Sequence, residues 1–131
     1  MRRLVMMLII GSLLGCRSLA INRIGAENQV EMATEVSKRI PKGTPLVDAR
    51  KTMESAGFEC DLIENGSFTE SSGVIGHDRE YRSFENSRYL LCRRTEGAEG
   101  FLVANIWTVA LVADKTDNVD DVLVRHCMEG L

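Results

Sequence analysis

The stretch Thr44–Leu62, TPLVDARKTMESAGFECDL, changes from a helical to a strand periodicity, and this change decides the fold. In its first part, apolar residues recur every three or four positions, which is the spacing of one helix face. Those residues are Leu46, Ala49, Met53 and Ala56. After Gly57, apolar and acidic residues alternate, which is typical of a half-buried strand. The stretch therefore predicts a helix followed directly by a strand.

Signals for a helix start and a helix end flank the first part of this stretch. Thr44 is expected to act as the N-cap, with Pro45 at the first helical position, where a missing amide hydrogen costs nothing. Gly57 is expected to take a left-handed conformation and end the helix. Upstream, apolar residues spaced by three and four predict an earlier amphipathic helix over residues 26–40, which Pro41 ends.

Downstream, four strands are predicted. They cover residues 58–62, 88–94, 101–113 and 119–127. Residues 64–87, between the first two strands, are rich in Gly, Ser, Asn and charge and are predicted to form a long polar loop. The element order predicts an α+β fold, with two N-terminal helices packed on a three- to four-stranded antiparallel meander as a two-layer sandwich. Residues 26–131 are expected to form this single domain.

Charge and composition narrow the classes of partner. The 131 residues include 16 basic and 19 acidic ones, and removal of Arg2 and Arg3 with a leader would leave a net charge of about −5. No run of Lys or Arg offers the positive stripe that a phosphate backbone attracts, which argues against a nucleic-acid partner. The same deficit argues against a polybasic membrane-binding patch.

The amino terminus has the layout of a signal peptide. A short basic start, Met1–Arg3, precedes the uncharged stretch Leu4–Leu14. A permanent membrane span is the alternative interpretation, but about 20 apolar residues are needed to cross a bilayer. A cleaved leader covering residues 1–15 is therefore the expectation.

Residues 13–16, LLGC, span the end of the leader and resemble the lipobox of bacterial lipoproteins. The resemblance implies a diacylglycerol on the Cys16 thiol, cleavage after Gly15 and acylation of the new amino terminus, for example by palmitate. Residues 16–25 would then be a lipidated tether. Because Arg17 and not Asp follows the cysteine, resemblance to enterobacterial lipoproteins implies an outer-membrane protein facing the periplasm rather than an inner-membrane one. An ordinary secretory peptide with a chance cysteine is the alternative.

The region Glu27–Cys60 and the strand order resemble the small envelope lipoproteins of the BamE (SmpA/OmlA) type and the β-lactamase-inhibitor-like domains that share their plan. The resemblance is carried by Pro41-Lys42-Gly43-Thr44, the helix after it, and Gly57-Phe58. It implies a non-enzymatic module that binds another protein or organises the cell envelope. The cysteines and the long polar loop are additions to that plan.

Three cysteines remain once Cys16 carries lipid. In a meander, Cys60 and Cys92 lie on neighbouring strands, so a disulfide between them is predicted for an exported chain, with buried free thiols as the alternative. Cys127 lies on a strand further along. No Cys-x-x-Cys occurs, and a strand would point His126 and Cys127 to opposite faces, so neither a metal site nor a cofactor is expected.

The one dense group of titratable residues is His77-Asp78-Arg79-Glu80, inside the predicted loop. A histidine close to Asp78 or Glu80 could act as a general base, whereas charged residues in a polar loop are more often simply solvated. Two hypotheses follow. The first is a lipid-anchored, non-enzymatic envelope module that binds another envelope protein, and the alternative is an exported enzyme or enzyme inhibitor with its site in residues 64–87.

Overall fold

The computed structural model describes residues 24–72, 82–97 and 103–130. In this part of the chain two helices precede five strands. The helices are α1 (Gln29–Arg39) and α2 (Leu46–Ser55). The strands are β1 (Glu59–Thr69), β2 (Ser71–Ser72), β3 (Ser83–Glu96), β4 (Val103–Ala113) and β5 (Val119–Gly130). The predicted α+β class is confirmed. Neither helix is long and apolar enough to span a membrane, within the ranges just given.

Helix α1 begins with two side-chain hydrogen bonds to the backbone. The Asn28 side chain accepts from the backbone N–H of Glu31 at 2.9 Å, and the Glu31 carboxylate accepts from the N–H of Glu27 at 3.0 Å. The first bond satisfies an amide group that the first helical turn would otherwise leave unpaired, and the second ties Glu31 to the residue before the cap. The cap therefore places the start of α1 three residues after the start of the predicted helix.

The predicted N-cap role of Thr44 in α2 is wrong. The N-cap position of α2 is Pro45, with no side-chain cap, and the Thr44 hydroxyl donates to the carbonyl of Pro41 at 2.6 Å. The reason is tertiary, because the Thr44 carbonyl accepts from the N–H of Val119 at 2.7 Å and Pro45 bridges to Asn118. The segment before α2 is thus held extended against the start of β5.

The end of α2 agrees with the prediction. Gly57 has a φ of +90°, which a residue with a Cβ adopts only at a cost. The N–H of Phe58 donates to the carbonyl of Met53 at 3.0 Å, so the chain folds back on the last helical turn. Phe58 is buried there and leads directly into β1.

The strand order in the sheet is β1-β3-β4-β5-β2. The pairs β1/β3, β3/β4 and β4/β5 are antiparallel, as predicted for a meander, and β2 pairs in parallel with residues Arg125 and His126 of β5. Only Glu70 separates β1 from β2 along the chain, although the two strands stand at opposite ends of the strand order. Register shifts in β1 between Ile63 and Phe68 bend the strand and allow the sheet to curl.

The prediction of a polar loop over residues 64–87 is wrong at both ends. Residues 64–69 belong to β1 and residues 83–87 to β3, where Phe68 lies opposite Phe84. The two rings stack with centroids 6.1 Å apart. Most other side chains here face solvent, which gave the segment the composition of a loop. Residues 73–81 lie outside the described residues.

Two apolar clusters cover the two faces of the sheet. The larger joins both helices to one sheet face and includes Met32, Val36, Ala49, Met53, Cys92, Trp107, Val109 and Val124. Trp107, predicted to be a core residue, is 2% exposed. The smaller cluster lies on the other face and contains Phe68, Tyr89, Ala110 and Leu123. Because β1 bends over this second face, the sheet buries apolar residues on both sides.

Candidate functional site

The described surface has a groove of about 650 Å³ between α1 and the outer edge of β5. We call it the α1 groove. Its lining residues are Gln29, Val30, Ala33, Thr34, Ser37 and Lys38 of α1, Asp121 and Val122 of β5, and Glu70 and Arg82. The α1 residues 30, 33, 34 and 37 follow the spacing of one helix face, next to the face that packs on the sheet. Val30 is 55% exposed, so the groove presents apolar surface to solvent.

Arg82 forms the charged wall of the groove. Its guanidinium binds Glu70 Oε1 at 3.2 Å, both carboxylate oxygens of Asp121 at 3.1 Å and the carbonyl of Val122 at 2.8 Å. The hydrogen bond to Glu70, and then that to Asp121, raise the pKa of Arg82 above its ordinary value. Glu70 and Arg82 stand on either side of residues 73–81, so the pair joins the two chain ends that flank this segment.

Side chains also cover the outer edge of β5 along the groove. The carbonyl of Val124 accepts from the amide of Gln29 at 2.7 Å, and the carbonyl of Val122 accepts from Arg82. The N–H of Val124 donates to Glu70 at 3.4 Å. An exposed strand edge is ordinarily open to pairing with another strand. These contacts occupy that edge, so a partner entering the groove would meet side chains.

Several polar side chains of the groove are bound to one another or to the backbone. The carboxylates of Glu70 and Asp121 both form ion pairs with Arg82. The hydroxyl of Thr34 donates to the carbonyl of Val30 at 2.9 Å. An apolar floor with a few oriented polar groups on its rim is the usual composition of a binding surface.

The predicted disulfide partners Cys60 and Cys92 lie directly opposite each other on β1 and β3. Their sulfur atoms are 2.8 Å apart, and both residues are buried. Cys127 lies on β5 in register with Ile106, away from this pair. The structure therefore brings together the two cysteines that the meander predicted as neighbours.

A second polar cluster lies near the start of β4 and the end of β5. The imidazole of His126 stacks on Trp107, and its Nε2 lies 3.2 Å from the side-chain oxygen of Asn105. The Trp107 indole donates to Glu96 at 3.4 Å. Burial lowers the pKa of His126, against a smaller opposing effect of Glu96. His126 and Cys127 are consecutive residues of β5 and therefore lie on opposite faces of the strand.

The other candidate residues from the sequence lie outside the described residues. These are Cys16, His77, Asp78 and Glu80. The α1 groove and its Arg82 wall were not predicted from the sequence. Glu70 and Arg82 were visible only as charges within a polar segment, and no local pattern links them because the hairpin brings them together across 12 positions.

Among the described residues there is no group of three or more His, Cys, Asp or Glu side chains that could hold a metal ion. No family model matches the chain, and no curated protein or solved structure matches it significantly.

Proposed function

We propose that this protein is a lipid-anchored module of the bacterial cell envelope that binds another envelope protein through the α1 groove, without catalysing a reaction. The observation that carries the proposal is the groove itself, where Val30, Ala33 and Val122 offer apolar surface below an ion-paired rim. Burial of such surface drives association, and the oriented rim supplies specificity. The resemblance to BamE-type envelope lipoproteins supports the same reading.

The partner most compatible with this groove is a helix or a loop that inserts an apolar side chain. A strand added to β5 would compete with the side chains of Gln29, Glu70 and Arg82 for the backbone groups of the edge. The small residues Ala33 and Ser37 let a partner approach the α1 backbone closely. We also propose that the helices and the sheet form a two-layer sandwich, since residues of both share the larger core cluster.

The proposed anchor restricts where that partner can be. Ile24 is fully buried, and only seven residues separate it from Cys16. An extended chain spans at most about 3.5 Å per residue, so a lipid on Cys16 would hold Ile24 within about 30 Å of the membrane surface. The groove starts five residues after Ile24, at Gln29. The partner would thus be a membrane protein or a protein held at the membrane, at the outer membrane if the sorting rule for Arg17 applies.

The anchor is tested with Cys16→Ser. Loss of the thiol removes the acceptor of the lipid, so the variant is expected to stay uncleaved or to leave the membrane fraction. Fractionation, lipid labelling and intact mass of the membrane-bound protein measure this. A variant that is still processed and lipid-labelled like the parent would contradict the lipobox assignment.

The groove is tested with a photo-crosslinking residue placed at position 30 or, as the matched control, at position 47. Val30 lies in the groove, whereas Val47 is 67% exposed on α2 and does not line it. We expect one protein to be crosslinked from position 30 and not from position 47. After purification, that protein should bind the parent and the Val47→Asp variant and lose affinity for Val30→Asp. Equal crosslinking from both positions, or equal binding of both variants, would contradict the proposal.

A further inference from the structure

The place of the cysteine pair in the hydrogen-bond pattern of the sheet follows from the edge contacts of β5. The carbonyls of Val122 and Val124 point away from β4, because they accept from Arg82 and Gln29 on the outer side. In an antiparallel ladder, the backbone groups of a residue point toward one neighbour strand only. Val124 lies opposite Val109 on β4, and the two therefore form a non-hydrogen-bonded pair.

The same alternation extends across the sheet. Because Val109 directs its backbone groups away from β5, it forms the hydrogen-bonded pair with Cys92. Cys92 in turn makes a non-hydrogen-bonded pair with Cys60. The carbonyl of Cys60 agrees with this, since it accepts from Arg50 of α2 on the outer side of β1 at 2.8 Å. Non-hydrogen-bonded pairs have Cα atoms about 4.5 Å apart, at the short end of the range that disulfides span.

The two thiols are not equivalent. Cys60 lies on an end strand of the sheet and keeps 7% of its surface exposed, whereas Cys92 lies on an interior strand and is fully buried. The contact with the Cys92 thiol, helped by Arg50, lowers the pKa of Cys60. The same contact and burial raise the pKa of Cys92. The thiolate is the nucleophile in exchange reactions, so both access and charge favour Cys60 as the first to react.

We propose that Cys60 and Cys92 are an oxidisable pair that closes in a fixed order, with Cys60 as the entry thiol and Cys92 as the resolving thiol. The Cys60 thiolate attacks one sulfur of an external disulfide, which releases the first thiolate and leaves a mixed disulfide on Cys60. Cys92 then loses its proton and attacks the Cys60 sulfur, which releases the second thiolate. One external disulfide is reduced to two thiols while the two cysteines are oxidised to one disulfide. This inference rests on the β1–β3 register and is independent of the proposed export and lipidation.

The test uses the full chain carrying Cys16→Ser and Cys127→Ser, so that Cys60 and Cys92 are the two remaining thiols. The reduced, folded protein is treated with dithiobis(nitrobenzoate), whose released thiolate is coloured. The chain with these two substitutions, the background chain, is expected to release two thiolates per molecule. It should end without a bound nitrobenzoate group. Adding Cys92→Ser should stop the reaction at a stable mixed disulfide with one thiolate released. Adding Cys60→Ser should slow the first release by about tenfold or more, because the buried Cys92 is then the sole thiol.

The order is overturned if the Cys60→Ser and Cys92→Ser chains react at equal rates. The pair itself is overturned if the background chain retains two bound nitrobenzoate groups and forms no internal disulfide. Cys60→Ala and Cys92→Ala serve as second variants, and circular dichroism before the reaction establishes that each chain is folded. A chain that reacts fast only after it has unfolded would also contradict entry through Cys60 in the native state.

Discussion

The imidazole ring of His126 lies parallel to the indole of Trp107, with ring centroids 3.9 Å apart and planes 9° apart. Trp107 is buried, donates to Glu96, and lies opposite both Arg94 and His126 in the sheet. Burial against this ring lowers the pKa of His126 below its ordinary value of 6.5, with Glu96 opposing. Folding therefore disfavours protonation of His126 relative to the unfolded chain.

This difference predicts a pH dependence of stability. A lowered folded pKa means that the stabilisation is complete above about pH 6.5 and is lost as the pH falls toward the folded value. Thermal melts at about pH 7.5 and about pH 5.5 should show lower stability at the acid end. His126→Gln should reduce the difference between the two melts, while His77→Gln, the same change at the second histidine, is the control. An unchanged difference in His126→Gln would contradict the prediction.

The second prediction concerns the start of α1. Asn28→Ala removes the acceptor for the Glu31 N–H and should cost about 1 kcal/mol of unfolding free energy. Thr44→Ala is the control, because the Thr44 hydroxyl caps no helix and its loss should cost about 0.5 kcal/mol or less. Denaturant unfolding measures both. A larger loss for Thr44→Ala would restore the N-cap role that the sequence suggested.

These two residues illustrate what could and could not be predicted from the sequence. The helical spacing, the stop at Pro41 and the turn at Gly57 are local signals, and they predicted two helices and a following strand correctly. The role of Thr44 depends on Val119, which lies 75 positions away and holds the segment extended. The α1 groove depends likewise on contacts between distant residues such as Arg82 and Asp121, which no local pattern contains.

The third prediction tests the turn after α2. Gly57 has a φ of +90°, and a Cβ there would lie 3.6 Å from the Arg94 side chain, so the cost is one of backbone conformation and not of collision. Gly57→Ala should lower the unfolding free energy by roughly 1–2 kcal/mol. Gly25→Ala is the control, since no atom lies within 4 Å of the added Cβ. If both variants unfold at the same denaturant concentration, the assigned conformation is wrong.

The fourth prediction concerns the wall of the α1 groove. Arg82→Met removes the partner of Glu70 and Asp121 and the donor to the Val122 carbonyl, so it should cost about 1 kcal/mol. Arg88→Met is the matched control, because Arg88 pairs with the exposed carboxylates of Glu64 and Asp117. Such surface pairs contribute little to stability, because solvent screens them. Urea unfolding of both variants compares them, and a greater loss for Arg88→Met would argue against a structured Arg82 wall.

The last prediction measures the stability that the Cys60–Cys92 pair contributes once oxidised. The two residues are 32 positions apart, and a loop of that length gives roughly 3–4 kcal/mol in a chain-entropy estimate, as an upper figure. That is a large share of the 5–15 kcal/mol typical of a folded domain.

In oxidised protein, Cys60→Ala and Cys92→Ala should therefore destabilise to a similar extent, and the double variant should be little worse than either single one. Cys127→Ala should be mild, because this residue lies on β5 away from the pair. Under reducing conditions the parent should lose most of its advantage over the single variants, since the crosslink then exists in none of them. Peptide mapping without reduction identifies the bond directly. A disulfide that includes Cys127, or additive losses in the double variant, would contradict the pairing and the β1–β3 register from which it follows.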